Sequence, residues 1–390
     1  MSAEPNHRLL SVTTPLGPDA FLLTGFSGVE GLSRLFRFEL ELLSEKEVAV
    51  GALVGGPIAW AVHSPGRPPR FFHGVVRRFA AAGRQVGAYR TYRAAVVPWV
   101  WALTRGAECR AFADRTLPEI VEDVFHTHGF TDYELALSRT YPRRDHRIQY
   151  RESPFGFVSR LLEEDGAYYF FRCEEGTHRL VIADDPTAYR DCEEHQPRLS
   201  PGVVGRDRIS EWEHRCEVST GAWTPIDEDL VGQDSNPVLS NDRIGILSHE
   251  SIHEIMTGAG GCCSFMPGGK FTLENTGCVV VAVEHEACDS SFTPSAGGKS
   301  YTNRFTCIPD ATTFLPRPTT SRPSVPGPQT AVVAGPQDGE PCLLEDGRIA
   351  VRFLWGRERR PDKESCRIRI AKDERDGDDA LRPRVGQEIL

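Results

Sequence analysis

Apolar and polar residues alternate strictly from Phe36 to Leu42: Phe36, Phe38, Leu40 and Leu42 are separated by Arg37, Glu39 and Glu41. A period of two predicts a half-buried strand. Short β-rich runs bounded by Gly, Pro or Ser recur through residues 9–110, among them LLSVTTPLG, DAFLLTGFSG, PIAWAVHS and RFFHGVVRRFAAAG. Several strands without a long helix predict a barrel. Residues 203–310 return to this patterning, and residues 347–355 alternate strictly once more.

Between these β stretches the period lengthens. Residues 116–129 read as a helix: Thr116 and Glu119 form a capping box, and Leu117, Ile120, Val121, Val124 and Phe125 make a buried face. A second helix follows Ser153, a good N-cap, with Pro154 at the first helical position. Phe155, Val158, Leu161 and Leu162 make its apolar face, and Gly166 suits the left-handed residue that ends it. Glu163, Glu164 and Asp165 are expected to be solvated. A strand restarts at Ala167, and Gly176 marks the turn before a partner strand at residues 178–184.

This helical stretch also carries a resemblance. Tyr150, Arg151, Glu152, Phe155, Phe157, Val158, Arg160, Leu161, Glu164, Gly166, Tyr168 and Tyr169 resemble the signature of the VgrG family, the spike proteins of type VI secretion systems. Those are similar to the hub and spike proteins of contractile phage tails. Gly74 within FFHGVV, the Pro98-Trp99-Val100-Trp101 run, Gly268–Leu273, His285 within VVVAVEHE, and Tyr301, Asn303 and Phe305 also resemble family strands.

The resemblance implies a mainly β fold with a small α+β insertion: two phage-tail-hub-like β-barrels followed by an OB-fold-like β domain. The expected domains are a first hub barrel at 1–110, an α+β linker at 111–202, a second hub barrel at 203–310, a Pro-rich connector at 311–328 and an incomplete OB-fold-like collar at 329–390. The connector cannot pair as a central strand, since proline lacks the donor N–H. Arg367 stands where the family usually carries tryptophan, which puts one packing contact in question. No β-helix repeat follows the collar pattern, so the chain is expected to be a hub without its needle.

Composition narrows the function classes. With 36 Gly and 28 Pro the chain suits a turn-rich β protein, and its net charge of −10 argues against bulk nucleic-acid binding. No apolar run reaches the roughly 20 residues that span a bilayer, and the N-terminus has no apolar signal region. Eleven cysteines without a CxxC read as reduced, buried thiols, with adjacent Cys262 and Cys263 the alternative zinc candidates. His63 and His73 each sit alone in a strand, and His126 and His128 lie on different sides of a helix, so none is expected to hold metal.

One formal catalytic motif is present. His249-Glu250-Ser251-Ile252-His253 is an HExxH, which on a helix puts both histidines on one face for zinc. Glu274 lies at a roughly suitable distance to be a third ligand, but it ends a strand pattern. A chance match is the preferred reading, so no metal, cofactor or enzymatic activity is expected.

The resemblance implies a mechanical role: a structural spike and hub component of a type VI secretion apparatus. It would be a homotrimeric adaptor between a hexameric inner tube and a puncturing tip, touching baseplate proteins and effector or adaptor proteins and delivering effectors. No nucleic acid and no stable membrane insertion are expected. The chain would be cytoplasmic, then translocated by the contractile apparatus without a signal peptide. The alternatives are the baseplate hub of a contractile phage tail and an HExxH zinc hydrolase embedded in the scaffold.

Overall fold

The computed structural model describes residues 8–216, 254–291, 298–335, 344, 347–355, 366–370 and 383–390. Along the chain run β1 (Leu10–Thr13), β2 (Leu22–Gly31), β3 (Arg34–Ser44), β4 (Pro57–Val62), β5 (Arg70–Val86), β6 (Tyr89–Val97) and β7 (Glu108–Arg115). Then come α1 (Leu117–Thr127), β8 (Tyr133–Ala136), β9 (Arg144–Glu152), α2 (Pro154–Asp165), β10 (Tyr168–Glu174), β11 (Thr177–Ala183), β12 (Arg190–Asp191), β13 (Arg198–Leu199) and β14 (Arg208–Cys216). The remainder is β15 (Glu254–Gly260), β16 (Gly269–Leu273), β17 (Thr276–Asp289), β18 (Lys299–Pro309), β19 (Ala331–Val333), β20 (Arg348–Phe353), β21 (Cys366–Arg369) and β22 (Glu388–Ile389). The chain is mainly β, as its patterning predicts.

Two compact units interleave along the sequence. One takes residues 1–101, 132–138 and 166–317; the other takes 102–131, 139–165 and 318–390.

In the first unit the strands pair in the order β1-β4-β5-β6-β3-β2-β17-β18-β15-β14-β13, with β16 and β12 attached beside β17. Two groups of strands far apart in sequence therefore share one sheet. They are joined by the antiparallel pair β2–β17, in register from Ala282 opposite Gly31 to Cys288 opposite Gly25. Among the described residues this hydrogen-bonded path does not close on itself.

Glycine is required at that seam. A Cβ built on Gly28 would lie 2.0 Å from Phe38 Cδ1 and 2.6 Å from the Arg37 carbonyl oxygen. The missing side chain lets the Phe38 ring lie over the backbone of β2. On β3 the alternation holds: Phe36, Phe38, Leu40 and Leu42 are buried, and Arg37, Glu39 and Glu41 are exposed. Phe38 joins Phe26, Trp60 and Phe72 in one aromatic core, with Trp60 stacked on Phe72 at 5.3 Å. A second core, around Phe265, Phe271 and Phe305, collects Ile209, Met256, Cys278, Val280, Val283 and Cys307. A smaller sheet, β10-β11-β8, completes this unit.

The second unit contains β7 paired with β9, both helices and the antiparallel sheet β21-β20-β19-β22. Helix α1 starts as its sequence predicts. Thr116 accepts from the Glu119 amide, Glu119 accepts from the Thr116 amide, and the five expected apolar residues are buried. The Ser153 hydroxyl accepts from the Gly156 amide at 3.0 Å at the start of α2, and Gly166, at φ +66°, follows its end. The four-stranded sheet packs Val333, Ile349, Val351 and Cys366 with Ala111 and Ile148 of the β7–β9 pair. Arg367 is exposed, opposite Ala350 on the neighbouring strand, so the departure from the family's tryptophan falls on an outer face. Residues 310–330 form no strand, which agrees with the proline reading of this stretch.

Candidate functional site

The signature residues from Tyr150 to Glu164 gather around one buried charge network in the second unit, whereas Gly166, Tyr168 and Tyr169 belong to the first unit, where both tyrosines are buried on β10. Tyr150 is buried on β9, with its ring against Trp355 at 5.6 Å. Arg151, at φ +52°, is the extra residue of a bulge, because Glu108 pairs with Glu152 and Cys109 pairs with Tyr150. The bulge brings the next residue, Glu152, to Arg160 of α2. Arg160 donates through Nε to Glu152 Oε2 at 3.0 Å and through Nη2 to Glu152 Oε1 at 2.7 Å. Its Nη1 reaches Glu164 Oε1 at 3.2 Å, one helical turn on, and Nη2 also donates to the Ile148 carbonyl at 3.1 Å.

Phe157, Val158 and Leu161 are buried around this fork, with Phe157 stacked on Phe112. Burial works against the Arg160 charge, but the hydrogen bonds and charges of Glu152 and Glu164 outweigh it and raise its pKa. Asp165, closed in with Arg144 and Arg147, has its pKa raised by burial despite those cations. Arg147 also donates to Glu164.

The acidic end of α2 is not solvated as its sequence suggests. Only 8% of the Glu164 side chain is exposed, and it carries ion pairs to Arg147, Arg160 and Arg322. Glu163 takes hold of the Pro-rich connector. Its Oε2 accepts from the amides of Thr319 at 2.9 Å and Thr320 at 2.8 Å, and its Oε1 from their hydroxyls at 3.3 and 2.8 Å. The warning available in the sequence is three acids at a helix C-terminus, where the dipole disfavours them unless cations or amides answer.

In the first unit the polar letters of the family strands form a second buried network beside the β2–β17 seam. Glu30 of β2 accepts from Arg70 Nη2 at 3.1 Å and lies 3.0 Å from His285 Nε2. The other nitrogen of His285 is 2.7 Å from the Tyr301 hydroxyl, and Asn303 donates to the Cys262 carbonyl at 2.7 Å. Burial penalises the Glu30 charge, yet Arg70 and His285 hold its pKa below the usual carboxylate value. Arg70 is shifted upward by Glu30 in return, against its own burial. These contacts tie four strands, β2, β5, β17 and β18, while Arg70 Nε and Asn303 Oδ1 are buried without a hydrogen-bond partner.

His73 is not alone, contrary to its reading as an isolated strand histidine. Its Nδ1 lies 2.7 Å from Nδ1 of His178, whose Nε2 accepts from the Trp99 amide at 3.0 Å. That acceptor role places the His178 proton on Nδ1, donated to His73, and both rings are neutral. Burial, with the neighbouring His73, pushes the His178 pKa down to about 3.

Cys262 and Cys263 are buried. Cys263 lies 3.5 Å from both Glu194 and the Ser64 hydroxyl, and burial beside Glu194 pushes its thiol up to about 11. Burial raises Cys262 as well. Both hold their protons and act as thiols in a core. His128 is engaged by the Val124 carbonyl and Glu108. His249 and His253 of the HExxH lie outside the described residues. Glu274 is exposed at φ +47°, in the tight turn between β16 and β17, and does not extend a helix.

Residues 29–243 match the family described as the phage tail baseplate hub (GPD). The chain is 33% identical to the type VI secretion system spike protein VgrG1a of Pseudomonas aeruginosa, over 98% of this chain and 67% of that protein. It is 32% identical to VgrG1c of the same organism, over 98% of this chain and 59% of that protein. It thus spans roughly three-fifths to two-thirds of these relatives. Among solved structures it resembles the Escherichia coli c3393 protein, described as a type VI secretion component similar to the T4 tail proteins gp27 and gp5. The TM-score is 0.73 at 21% identity, covering 97% of this chain and 94% of that one, a likeness of fold.

Proposed function

Because the chain belongs to the VgrG family of type VI secretion spike proteins, which shares the phage tail baseplate hub, we propose that it is the trimeric hub of a contractile injection apparatus. In this reading it joins a hexameric inner tube to a puncturing tip and takes part in effector delivery. The role is structural and needs no catalysis. It would be made in the cytoplasm and leave through the machine itself. Baseplate proteins and effector or adaptor proteins are its remaining partners, and neither nucleic acid nor a membrane is among them.

The observation that carries this reading is the β2–β17 seam. It binds two strand groups, β1–β6 and β14–β18, into one continuous sheet within a single chain. Three copies of a chain with two such groups present six, which suits a threefold body seated on a sixfold ring. Rigidity at the seam suits load transfer: the groups are fastened by a full antiparallel ladder and by the Glu30–Arg70–His285 network. The match to the phage baseplate hub family keeps the equivalent position in a phage tail as a second reading.

Mass measurement by light scattering at tens of micromolar chain tests the proposal. Three times the 43.3 kDa chain mass is the expected result. A monomer at that concentration overturns the trimeric reading.

A further inference from the structure

We propose that His214, Cys216 and Glu254 form a zinc-binding site at the Cys216–Glu254 end of the β14–β15 ladder. His214 and Cys216 are two apart on β14 and so project from the same face. Glu254 lies directly across from Cys216 in the antiparallel register, and Met256 lies across from His214. This face begins in the second core, at Trp212 and Met256, and runs out to solvent where the three side chains meet. Among the described residues it is one place where three His, Cys, Asp or Glu donor atoms come within 4.8 Å of one another. His214 Nε2 is 2.6 Å from Glu254 Oε1.

The donor set selects the ion. One imidazole, one thiolate and one carboxylate suit a borderline divalent ion better than calcium or magnesium, which take oxygen ligands. Two anionic donors balance a dication. Donors at zinc distances of about 2.0–2.3 Å stand roughly 3.3–3.7 Å apart in a tetrahedron. Side-chain rotation within 4.8 Å reaches that spacing, and water fills the fourth position. On binding, the thiol proton passes to solvent and the imidazole proton sits on Nδ1, leaving Nε2 for the metal. Of the ten free cysteines described, only Cys216 and Cys288 are exposed. The hub reading uses none of the three, and the site stands or falls without it.

Cobalt(II) titration of the whole chain, reduced and stripped by chelator, tests this. One equivalent should give a thiolate-to-cobalt absorption band that zinc abolishes. C216S should lose the band, and H214A and E254Q should each weaken binding at least about tenfold. C288S should match the parent chain. Circular dichroism should be unchanged in all four variants, since these side chains lie at the surface or at a ladder end. Absence of a saturable band, or a band that survives in C216S, overturns the proposal.

Discussion

Arg160 and Glu152 meet fork to fork, with Nη2 to Oε1 at 2.7 Å and Nε to Oε2 at 3.0 Å, inside the stretch that carries the family signature. Only 8% of the arginine and 10% of the glutamate side chain is exposed. The signature therefore records a folding requirement: a bulge at Arg151, a buried ion pair and an apolar helix face that must coexist. R160A leaves buried Glu152 without its cation and takes from Glu164 one of the three it pairs with, and should cost about 3–5 kcal/mol. R160K keeps the charge but not the planar fork, and should recover only part of that loss. Urea unfolding of both variants measures it, and a loss below about 1 kcal/mol in R160A, the range of a surface pair, contradicts this role.

Glu163 holds the connector through four hydrogen bonds from Thr319 and Thr320. Because the contact is partly open to water, E163A should leave global unfolding nearly unchanged. It should speed amide exchange around residues 319–322 by about tenfold or more, a local opening rather than a global one. Exchange mass spectrometry reads this directly, and unchanged rates there would show that the proline content alone holds the connector.

Acid should weaken the first unit. His178 is neutral in the fold, its pKa lowered to about 3 by burial and by His73, whose own pKa is lowered by burial. The unfolded chain takes up a proton below about pH 6.5. This contribution is therefore complete above about pH 6.5 and is lost as pH falls toward 3, at up to about 1.4 kcal/mol per unit for one such group. Melting temperatures between pH 7.5 and 4.5 should fall more steeply in the parent chain than in H178Q, which cannot titrate there. Equal slopes would remove His178 as the cause.

At the seam, G28V should be among the most damaging single changes. Its Cβ has to displace the Phe38 ring and the Arg37 backbone, at 2.0 and 2.6 Å. Overpacking of this kind typically costs about 1–3 kcal/mol, and contact with backbone puts this case at the upper end. Thermal melting of G28V against V29A, a neighbouring exposed position on β2, separates the clash from a general effect on the strand.

Local chemistry was legible in the sequence, and long-range pairing was not. The capping box at Thr116, the Ser153 cap, the Gly166 stop and the β3 alternation each depend on residues a few positions apart, and the structure has them all. The connector clamp joins Glu163 to Thr319 and Thr320 across more than 150 residues, and no periodicity marks either end. Glu30, His285 and Asn303 look like solvent-facing letters of a strand until β2, β17 and β18 stand side by side. His73 likewise gains its partner only when β5 meets β11 in the fold. Resemblance pointed to the letters Tyr301, Asn303 and His285; the hydrogen bonds among them give the physical reason those letters are there.

The most direct test of the hub role is electron microscopy of the purified chain mixed with its cognate inner-tube protein. Threefold particles with six peripheral lobes, seated on the ends of hexameric tubes, are the result this account predicts. Particles without threefold symmetry that leave the tube ends bare would contradict it.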